Sequence, residues 1–408
     1  MMKNTLVLVG LIFLIFSGCS APASTPVLIR ETPTFVIPSA VSTATNTTIP
    51  RPPTATIAPT RTATVTPTVT MTPAYPPAGL EPDRFPEGIN PLTGLPAAKA
   101  GLLNRRPVVV KVENLPRDHR PQWGLSLADL VYEYYTEEGT TRFAAVYYGQ
   151  DAQRVGPIRS ARLFDQHVVS MYGGIFVFGY ADPIVWRTLL LSEFGKRLIV
   201  ERPDSCPPLC RYDAKRSNIL VVDTGEVPAL LKLLSIDNTR PALNGMYFKL
   251  EPPSGGSKLD QLFVRYSAAI YNRWDYQPST GRYQRYSDSD NDLTGKNEKY
   301  ALLTDKLTGN PIAVENVVTI FVPNRYFSRT PEIVDIQLNG TGRAYIARDG
   351  QIFRVTWSRT AAGSPLTLLG DDGKLFPFKP GQTWFEIVGE GSGVQRGDLS
   401  YRIIFSIP

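Results

Sequence analysis

Histidine and cysteine are scarce in this chain of 408 residues, which contains two histidines and three cysteines. Neither His119 nor His167 has a second ligand-type residue at the spacing of a zinc site, so the sequence predicts no metal centre and no cofactor. Nucleotide-binding glycine motifs and the Gly-x-Ser-x-Gly nucleophile elbow are absent. Dense Lys/Arg blocks are also missing, which argues against nucleic acid as a partner although the net charge is +6. These absences disfavour the commonest enzyme classes, and we lean towards a protein that is not an enzyme.

An export signal stands at the amino terminus. Lys3 supplies a positive charge, residues 6–16 form an apolar run that is short for a membrane span, and Ser17-Gly18-Cys19 completes a lipobox-like pattern. We predict a cleaved signal peptide over residues 1–18, attachment of diacylglycerol to Cys19, and a lipid-anchored position outside the cytoplasm. An ordinary secretory signal with an incidental cysteine is the alternative.

Threonine and proline dominate the segment that follows Cys19. Residues 19–82 contain too little large apolar surface to offset the entropy of ordering them, so we predict a disordered linker. Such a linker would hold a folded domain away from the membrane.

Two segments of different character follow the linker. Residues 83–250 alternate strand and helix signals, which predicts an α/β domain with a mixed sheet. Its strand candidates are residues 107–112, 130–135, 142–148 and 175–178, and its helix candidates are residues 160–171, 183–190 and 227–234. Residues 258–408 carry strand and turn signals almost throughout, which predicts a mostly-β domain. The proline- and glycine-rich residues 252–257 mark the predicted boundary.

The residues best suited to binding an anion follow a turn at Gly156. The turn leads into a predicted helix start at Ser160, where free N–H groups and the helix dipole favour an anion. Arg159 and Arg162 flank this start, and their forked guanidiniums suit a carboxylate or a phosphate. The alternative is structural: Arg162 pairs with Asp165 or Gln166 across one helical turn, and Arg159 bridges to the nearby acidic strand.

The other candidate groups are acidic. Glu133 and Glu137 are an even number of residues apart, so on one strand they would share a face and could act as acid and base in glycoside cleavage. An ideal strand places them about 13 Å apart, outside the usual range, so pairing with nearby arginines such as Arg142 is the favoured interpretation. His167 has about the same helical phase as Arg159 and is a weak candidate for the same site.

Cys206 and Cys210 are four residues apart, so the thioredoxin-type motif is not met. In an exported protein we expect them to form a disulfide that closes a proline-rich loop.

Several short motifs follow one another along residues 84–395. They are Asn90-Pro91-Leu92-Thr93-Gly94, Arg120-Pro121-Gln122-Trp123-Gly124, Thr141-Arg142-Phe143, Gly156-Pro157-Ile158-Arg159-Ser160, Gly342-Arg343-Ala344-Tyr345 and Pro380-Gly381-Gln382-Thr383-Trp384. This order resembles the YerB family of bacterial lipoproteins, which implies a two-domain lipoprotein whose domains have no assigned function. The chain departs from the family pattern twice. Glu138 stands where glycine is expected, and residues 178–182 replace a segment expected to read close to His-Ala-Gly-Gly-Ser.

We therefore expect a cell-envelope lipoprotein that binds an anionic or carbohydrate ligand without catalysis. The predicted ligand-binding residues are Arg142, Gly156, Arg159, Ser160 and Arg162. One alternative is a hydrolase that acts on a wall polymer through Glu133 or Glu137. The other is a structural adaptor whose arginines are consumed by internal ion pairs. Besides the membrane, a cell-wall polymer or an envelope protein is the expected partner.

Overall fold

The computed structural model describes residues 83–212 and 219–407. The predicted signal peptide, the lipid attachment site Cys19 and the predicted linker lie outside the described residues. Within the described residues, no helix is both long enough and apolar enough to cross a membrane.

Strands dominate the described residues, with three α-helices and four short 3₁₀-helices between them. The strands are β1 Ile89–Asn90, β2 Leu95–Pro96, β3 Val108–Glu113, β4 Leu130–Tyr135, β5 Thr141–Tyr147, β6 Ile175–Val177, β7 Leu198–Ile199, β8 Leu209–Arg211, β9 Leu220–Val222, β10 Ser257–Lys258, β11 Gln261–Arg265, β12 Tyr271–Gln277, β13 Arg282–Asp288, β14 Tyr300–Leu302, β15 Ala313–Val314, β16 Asn316–Val322, β17 Asn324–Arg329, β18 Glu332–Ile336, β19 Gly340–Arg348, β20 Gln351–Arg359, β21 Thr367–Leu369, β22 Thr383–Gly389, β23 Gly393–Arg396 and β24 Ser400–Ile404. The α-helices are α1 Asp165–Met171, α2 Pro183–Leu190 and α3 Val227–Leu233, and the 3₁₀-helices are Ala100–Asn104, Arg117–His119, Leu125–Leu127 and Gly195–Arg197.

Most of these strands belong to two sheets. In the part of the chain that the structure describes, the larger sheet has eleven strands in the order β10-β20-β19-β16-β22-β4-β5-β3-β6-β7, with β21 paired to β20. The smaller sheet has seven strands in the order β14-β13-β12-β11-β24-β23, with β15 paired to β13.

The larger sheet joins the two halves of the chain at its centre. β22 runs parallel to β4, with Glu386 opposite Glu133, and parallel to β16 on its other side. β16 and β22 are buried at every residue, which explains why both are rich in apolar residues. Strands from residues 83–250 and 258–408 therefore share one hydrophobic core. The domain boundary at residues 252–257 stays a prediction.

The apolar runs predicted as strands in residues 83–250 form β3, β4, β5 and β6. β3 pairs antiparallel with β5 and parallel with β6, so the sheet is mixed. α2 and α3 begin at the predicted residues, Pro183 and Val227. Asp182 caps α2 by accepting the N–H of Ile184 at 2.9 Å, which satisfies one of the free donors of the first turn.

The helix predicted to begin at Ser160 begins instead at Asp165, so its predicted start is wrong. The backbone N–H of Arg159 donates to the carbonyl oxygen of Lys111 at 3.0 Å, and that of Ala161 donates to the carbonyl oxygen of Tyr180 at 2.7 Å. These two bonds tie the segment to neighbours on both sides, which outweighs the capping preference of Ser160.

Candidate functional site

Two of the predicted arginines, Arg142 and Arg162, meet at a single carboxylate. Arg142 Nη2 donates to Glu137 Oε1 at 2.9 Å, and Arg162 Nε donates to Glu137 Oε2 at 2.5 Å, with a second bond from Arg162 Nη2 to Oε1. Both guanidiniums also donate to the carbonyl oxygen of Ser160, at 2.8 and 3.2 Å. The group that we call the Glu137 cluster consists of Lys111, Glu137, Arg142, Arg162 and Asp165.

A tight turn between β4 and β5 positions Glu137. The strand ends at Tyr135, and the N–H of Thr140 donates to the carbonyl oxygen of Glu137 at 2.8 Å. Glu138 and Gly139 both have positive φ, at +48° and +76°, which is the pattern of a type I′ hairpin turn. The glycine that the family pattern predicts at position 138 suits this backbone conformation, which costs a glutamate more than a glycine.

A fully buried lysine lies beneath the arginines. Lys111 donates to Asp165 Oδ1 at 3.2 Å and to the hydroxyl of Tyr134, while Asp165 Oδ2 accepts the backbone N–H of Arg162 at 2.7 Å. Burial lowers the pKa of Lys111 to about 7. The Asp165 carboxylate opposes this effect, and the two guanidiniums add to it. Asp165 therefore links the buried lysine to the segment that carries Arg162.

Positive charge is in excess around Glu137. Burial works against ionisation of Glu137, but hydrogen bonds from Arg162 and the charges of both arginines outweigh it, so its pKa is lowered. Burial and the neighbouring Arg162 lower the pKa of Arg142 to about 10, which leaves this side chain charged at neutral pH. Two cationic guanidiniums thus face one anionic carboxylate.

The third predicted arginine, Arg159, pairs with a different acid. Its Nε lies 2.5 Å from Glu113 Oε1, and the other oxygen of Glu113 lies 2.8 Å from His119 Nδ1. Burial raises the pKa of Glu113, and hydrogen bonds and charges from His119 and Arg159 oppose this rise. Neither terminal nitrogen of Arg159 hydrogen-bonds to another described residue, and the side chain is 27% exposed. Arg159 therefore keeps donors that face solvent.

Gly156 and Ser160 contribute backbone groups. The N–H of Gly156 donates to the carbonyl oxygen of Trp123 at 3.2 Å, and its own carbonyl oxygen accepts from the N–H of Trp123 at 2.8 Å. A Cβ at Gly156 would lie 2.8 Å from the carbonyl oxygen of Leu220, so the close approach of these chains requires glycine. The predicted ligand-binding roles of Gly156 and Ser160 stay predictions.

The segment that departs from the family pattern, residues 178–182, lies alongside the arginines. The N–H of Gly179 donates to the carbonyl oxygen of Arg159 at 2.9 Å, and the carbonyl oxygen of Tyr180 accepts from Ala161. Residues 178–182 therefore contact the segment that carries Arg159.

Glu133 belongs to a separate, wholly buried group that we call the Arg285 network, made of Glu133, Arg285 and Glu386. Arg285 Nη2 lies 2.7 Å from Glu133 Oε2, and Arg285 Nη1 donates to Glu386 Oε1 at 3.2 Å. Burial raises the pKa of Glu133 to about 7, with the charge of Arg285 opposing this rise and that of Glu386 adding to it. Because β4 ends at Tyr135, Glu133 and Glu137 do not share a strand.

His167 is buried on α1, and its side-chain partner is Arg359, which is not one of the predicted site residues. Its Nδ1 is 3.1 Å from Arg359 Nη1, and burial together with the charge of Arg359 lowers its pKa to about 4. The imidazole is therefore neutral at physiological pH, and its weak candidacy as a catalytic residue gains no geometric support.

Sequence reasoning missed Lys111, Arg285 and Glu386. It considered Asp165 only as a side-chain partner of Arg162, whereas Asp165 accepts the backbone N–H of Arg162 and the Arg162 side chain pairs with Glu137. A local signal was available for Lys111 and Glu386, since each interrupts an otherwise apolar strand, and a buried charge of this kind needs a partner. In the described ranges, no three His, Cys, Asp and Glu side chains are grouped as metal ligands would be.

The predicted disulfide is confirmed. Cys206 and Cys210 are bonded, with their Cα atoms 4.8 Å apart.

Comparison with known proteins places these features in a family. Residues 92–193 match the family described as "Protein of unknown function (DUF3048) N-terminal domain", and residues 262–385 match its C-terminal domain. A relative from Bacillus subtilis (strain 168), named "Putative lipoprotein YerB", is 26% identical over 330 residues, which is 78% of this chain and 92% of the relative. The chain belongs to the YerB family.

A solved structure agrees with this assignment. The crystal structure of YerB protein from Bacillus subtilis is 25% identical to this chain and superposes with a TM-score of 0.60, covering 73% of this chain and 96% of the other. The resemblance inferred from the motifs is therefore confirmed. Every residue of the Glu137 cluster lies in the first matched segment of the YerB family, whereas the Arg285 network draws on both halves of the chain.

Proposed function

We propose that this chain is a lipid-anchored, extracytoplasmic protein that binds an anionic ligand at the Glu137 cluster and at Arg159 without catalysing a reaction. The YerB relative is named a lipoprotein, which agrees with the predicted lipid attachment at Cys19. Envelope polymers that carry phosphate or carboxylate groups are the ligands that this compartment offers, and an anionic carbohydrate would satisfy the same site.

The main support for this proposal is the position of Glu137. Its carboxylate accepts hydrogen bonds from two guanidiniums, which is how arginine holds a free carboxylate or phosphate. Glu137 therefore acts as an internal stand-in for the ligand. It is held there by a short turn, so a small movement of that turn would free both arginines for an external anion.

Partial exposure makes this exchange possible. The side chains of Arg142, Arg162 and Glu137 are 16%, 18% and 21% exposed. Arg159, whose terminal nitrogens are free of described partners, lies close enough to lower the pKa of Arg142. A ligand can reach these groups without opening the core that encloses Lys111.

A structural adaptor is the second candidate, because Arg142, Arg159 and Arg162 each have an internal carboxylate partner. In this case the arginines hold the segment in place, and their removal would destabilise the fold without any loss of ligand binding.

The hydrolase alternative has less support. Glu137 has a lowered pKa and is ionised at neutral pH, so it is a poor proton donor. Glu133 is wholly buried and separated from Glu137 by the end of β4.

The test is a thermal-unfolding screen of the full chain in detergent, followed by intrinsic fluorescence. Its ligands are polyphosphate, a glycerol-phosphate polymer and a neutral oligosaccharide. The screen compares the unmodified chain with Arg159→Ala/Arg162→Ala and with Arg325→Ala, which removes an arginine that is 73% exposed at another surface. A ligand present at ten times its Kd adds about 1.4 kcal/mol, enough to raise Tm by a degree or two.

The proposal predicts a rise in Tm with the anionic ligands that is lost in the double variant and kept in Arg325→Ala. No rise with any anion, together with strong destabilisation of the double variant, would favour the adaptor instead.

A further inference from the structure

A second concave surface lies where the two sheets approach each other, away from the residues of the Glu137 cluster. It is a groove of about 600 Å³ between β20 and the turn at residues 370–375 on one side and β23 and β24 on the other. This volume falls within the usual range for small-molecule sites. We propose that the groove binds an uncharged saccharide chain, which goes beyond the anion binding proposed above.

Aromatic rings form the floor of the groove. Tyr345, Phe353, Phe376 and Tyr401 line it and are each between 5% and 9% exposed, so they present a small part of each ring to the opening. Phe353 packs on Phe376 with ring centroids 5.1 Å apart, and Tyr345 packs on Tyr401 at 6.0 Å. Because these pairs hold the rings in place, a ligand meets a preformed apolar surface.

Charges of both signs line the rim. Arg354 and Asp371 are exposed, and neither side chain forms an ion pair or hydrogen bond with another described residue. Lys374 is paired with Asp372 at 3.3 Å, and Arg396 lies over the ring of Tyr401 at 5.5 Å. The rim therefore offers the carboxylate of Asp371 as an acceptor and the guanidinium of Arg354 as a donor, neither with a partner among the described residues. The positive and negative charges along the rim nearly cancel.

This combination selects the chemical class of the ligand. A polyanion would meet the carboxylates of Asp371 and Asp372, and a polycation would meet Arg354 and Arg396. Sugar hydroxyls both donate and accept, so they satisfy a carboxylate and a guanidinium together, while sugar C–H groups contact the small exposed parts of the aromatic rings. An uncharged saccharide is thus the ligand that matches every part of the lining.

The test is isothermal titration calorimetry of the full chain in a detergent without sugar groups. The probes are chitotetraose, which carries N-acetyl groups, and cellotetraose, which does not. Two exposed side chains give variants that leave the aromatic floor intact, Arg354→Ala and Asp371→Asn. Lys299→Ala, which breaks an exposed ion pair outside the groove, is the matched control.

We expect at least one tetrasaccharide to bind. Its affinity should fall about tenfold in each groove variant, because each variant loses one charge-assisted hydrogen bond. The affinity should be unchanged in Lys299→Ala. Binding of chitotetraose alone would narrow the ligand to N-acetylated sugars. Absence of binding for both probes at about 10 mM, or equal affinity in all three variants, would overturn the proposal. The Arg159→Ala/Arg162→Ala variant should bind the sugar normally, so failure here is distinguishable from failure of the anion site.

Discussion

The Arg285 network and the Glu137 cluster use the same residue types in opposite proportions. In the Arg285 network, one guanidinium serves two carboxylates, and all three side chains are at most 1% exposed. In the Glu137 cluster, two guanidiniums serve one carboxylate at a surface that water reaches. Glu133 and Glu137 are only four residues apart, so neighbouring positions in one hairpin have acquired opposite electrostatic surroundings.

The two groups balance their charge in different ways. The buried network has one guanidinium for two carboxylates. Burial and the charge of Glu386 raise the pKa of Glu133, so we expect a proton to balance part of the missing positive charge. The Glu137 cluster has more cationic than anionic side chains, and its two guanidiniums are partly exposed, so an external anion can balance the excess. The first arrangement therefore belongs to the fold, and the second is suited to binding.

The largest effect is expected from Arg285→Met. The substitution leaves two carboxylates buried without their cation, so the free energy of unfolding should fall by about 3–5 kcal/mol. Urea denaturation measures this loss. Arg325→Met removes an arginine that is 73% exposed and leaves Asp335 hydrogen-bonded to Gln337, so it should cost much less. A loss below about 1 kcal/mol for Arg285→Met would mean that the network is not a structural element.

A smaller effect is expected from pH. Because the folded state raises the pKa of Glu133 to about 7 from an unfolded value near 4, its contribution to stability is complete at low pH and is lost as the pH rises through 7. Glu133→Gln removes this dependence. The free energy of unfolding of the variant, minus that of the unmodified chain, should therefore rise by at least about 1 kcal/mol from about pH 5 to about pH 7.5.

Denaturation curves at several pH values check this prediction, with Glu138→Gln as the control for loss of an exposed carboxylate in the next turn. If the difference between the unmodified chain and Glu133→Gln stays constant with pH, then Glu133 does not hold the proton.

The smallest effect on stability is expected from Arg159→Ala. The side chain is partly exposed, and Glu113 keeps His119 as a partner after the change, so the free energy of unfolding should fall by about 1 kcal/mol or less. The same urea experiment measures it. A loss as large as that for Arg285→Met would mean that Arg159 stabilises the fold, as Arg285 does, and would argue against a role in ligand binding.

Local sequence signals were enough to predict much of the fold. β3, β4, β5 and β6 lie where apolar runs predict strands, and α2 begins where a proline follows a capping aspartate. The pairing of β4 with β22 joins residues about 250 positions apart, and no local pattern records which distant strand is the partner. The Arg285 network depends on this pairing and was therefore missed.

Only part of the candidate site could be predicted, again because its contacts join distant parts of the chain. Arg142, Arg159 and Arg162 were singled out by residue type, but their carboxylate partners depend on how the hairpin turn and the segment after Gly156 meet. Serine is a favoured N-cap residue, but tertiary hydrogen bonds at Arg159 and Ala161 hold Ser160 outside the helix, which begins at Asp165. Long-range contacts thus decided both the helix start and the partner of each arginine.

The most direct test compares the affinity for polyphosphate of the unmodified chain, Glu137→Gln and Glu138→Gln, measured by calorimetry on the full chain. Both variants remove one negative charge from the same turn, but only Glu137 accepts hydrogen bonds from the arginines. If Glu137 is a stand-in for the ligand, Glu137→Gln should bind about tenfold more tightly and Glu138→Gln should change far less. Equal changes in the two variants, or weaker binding in Glu137→Gln, would contradict the claim that the excess positive charge serves an external anion.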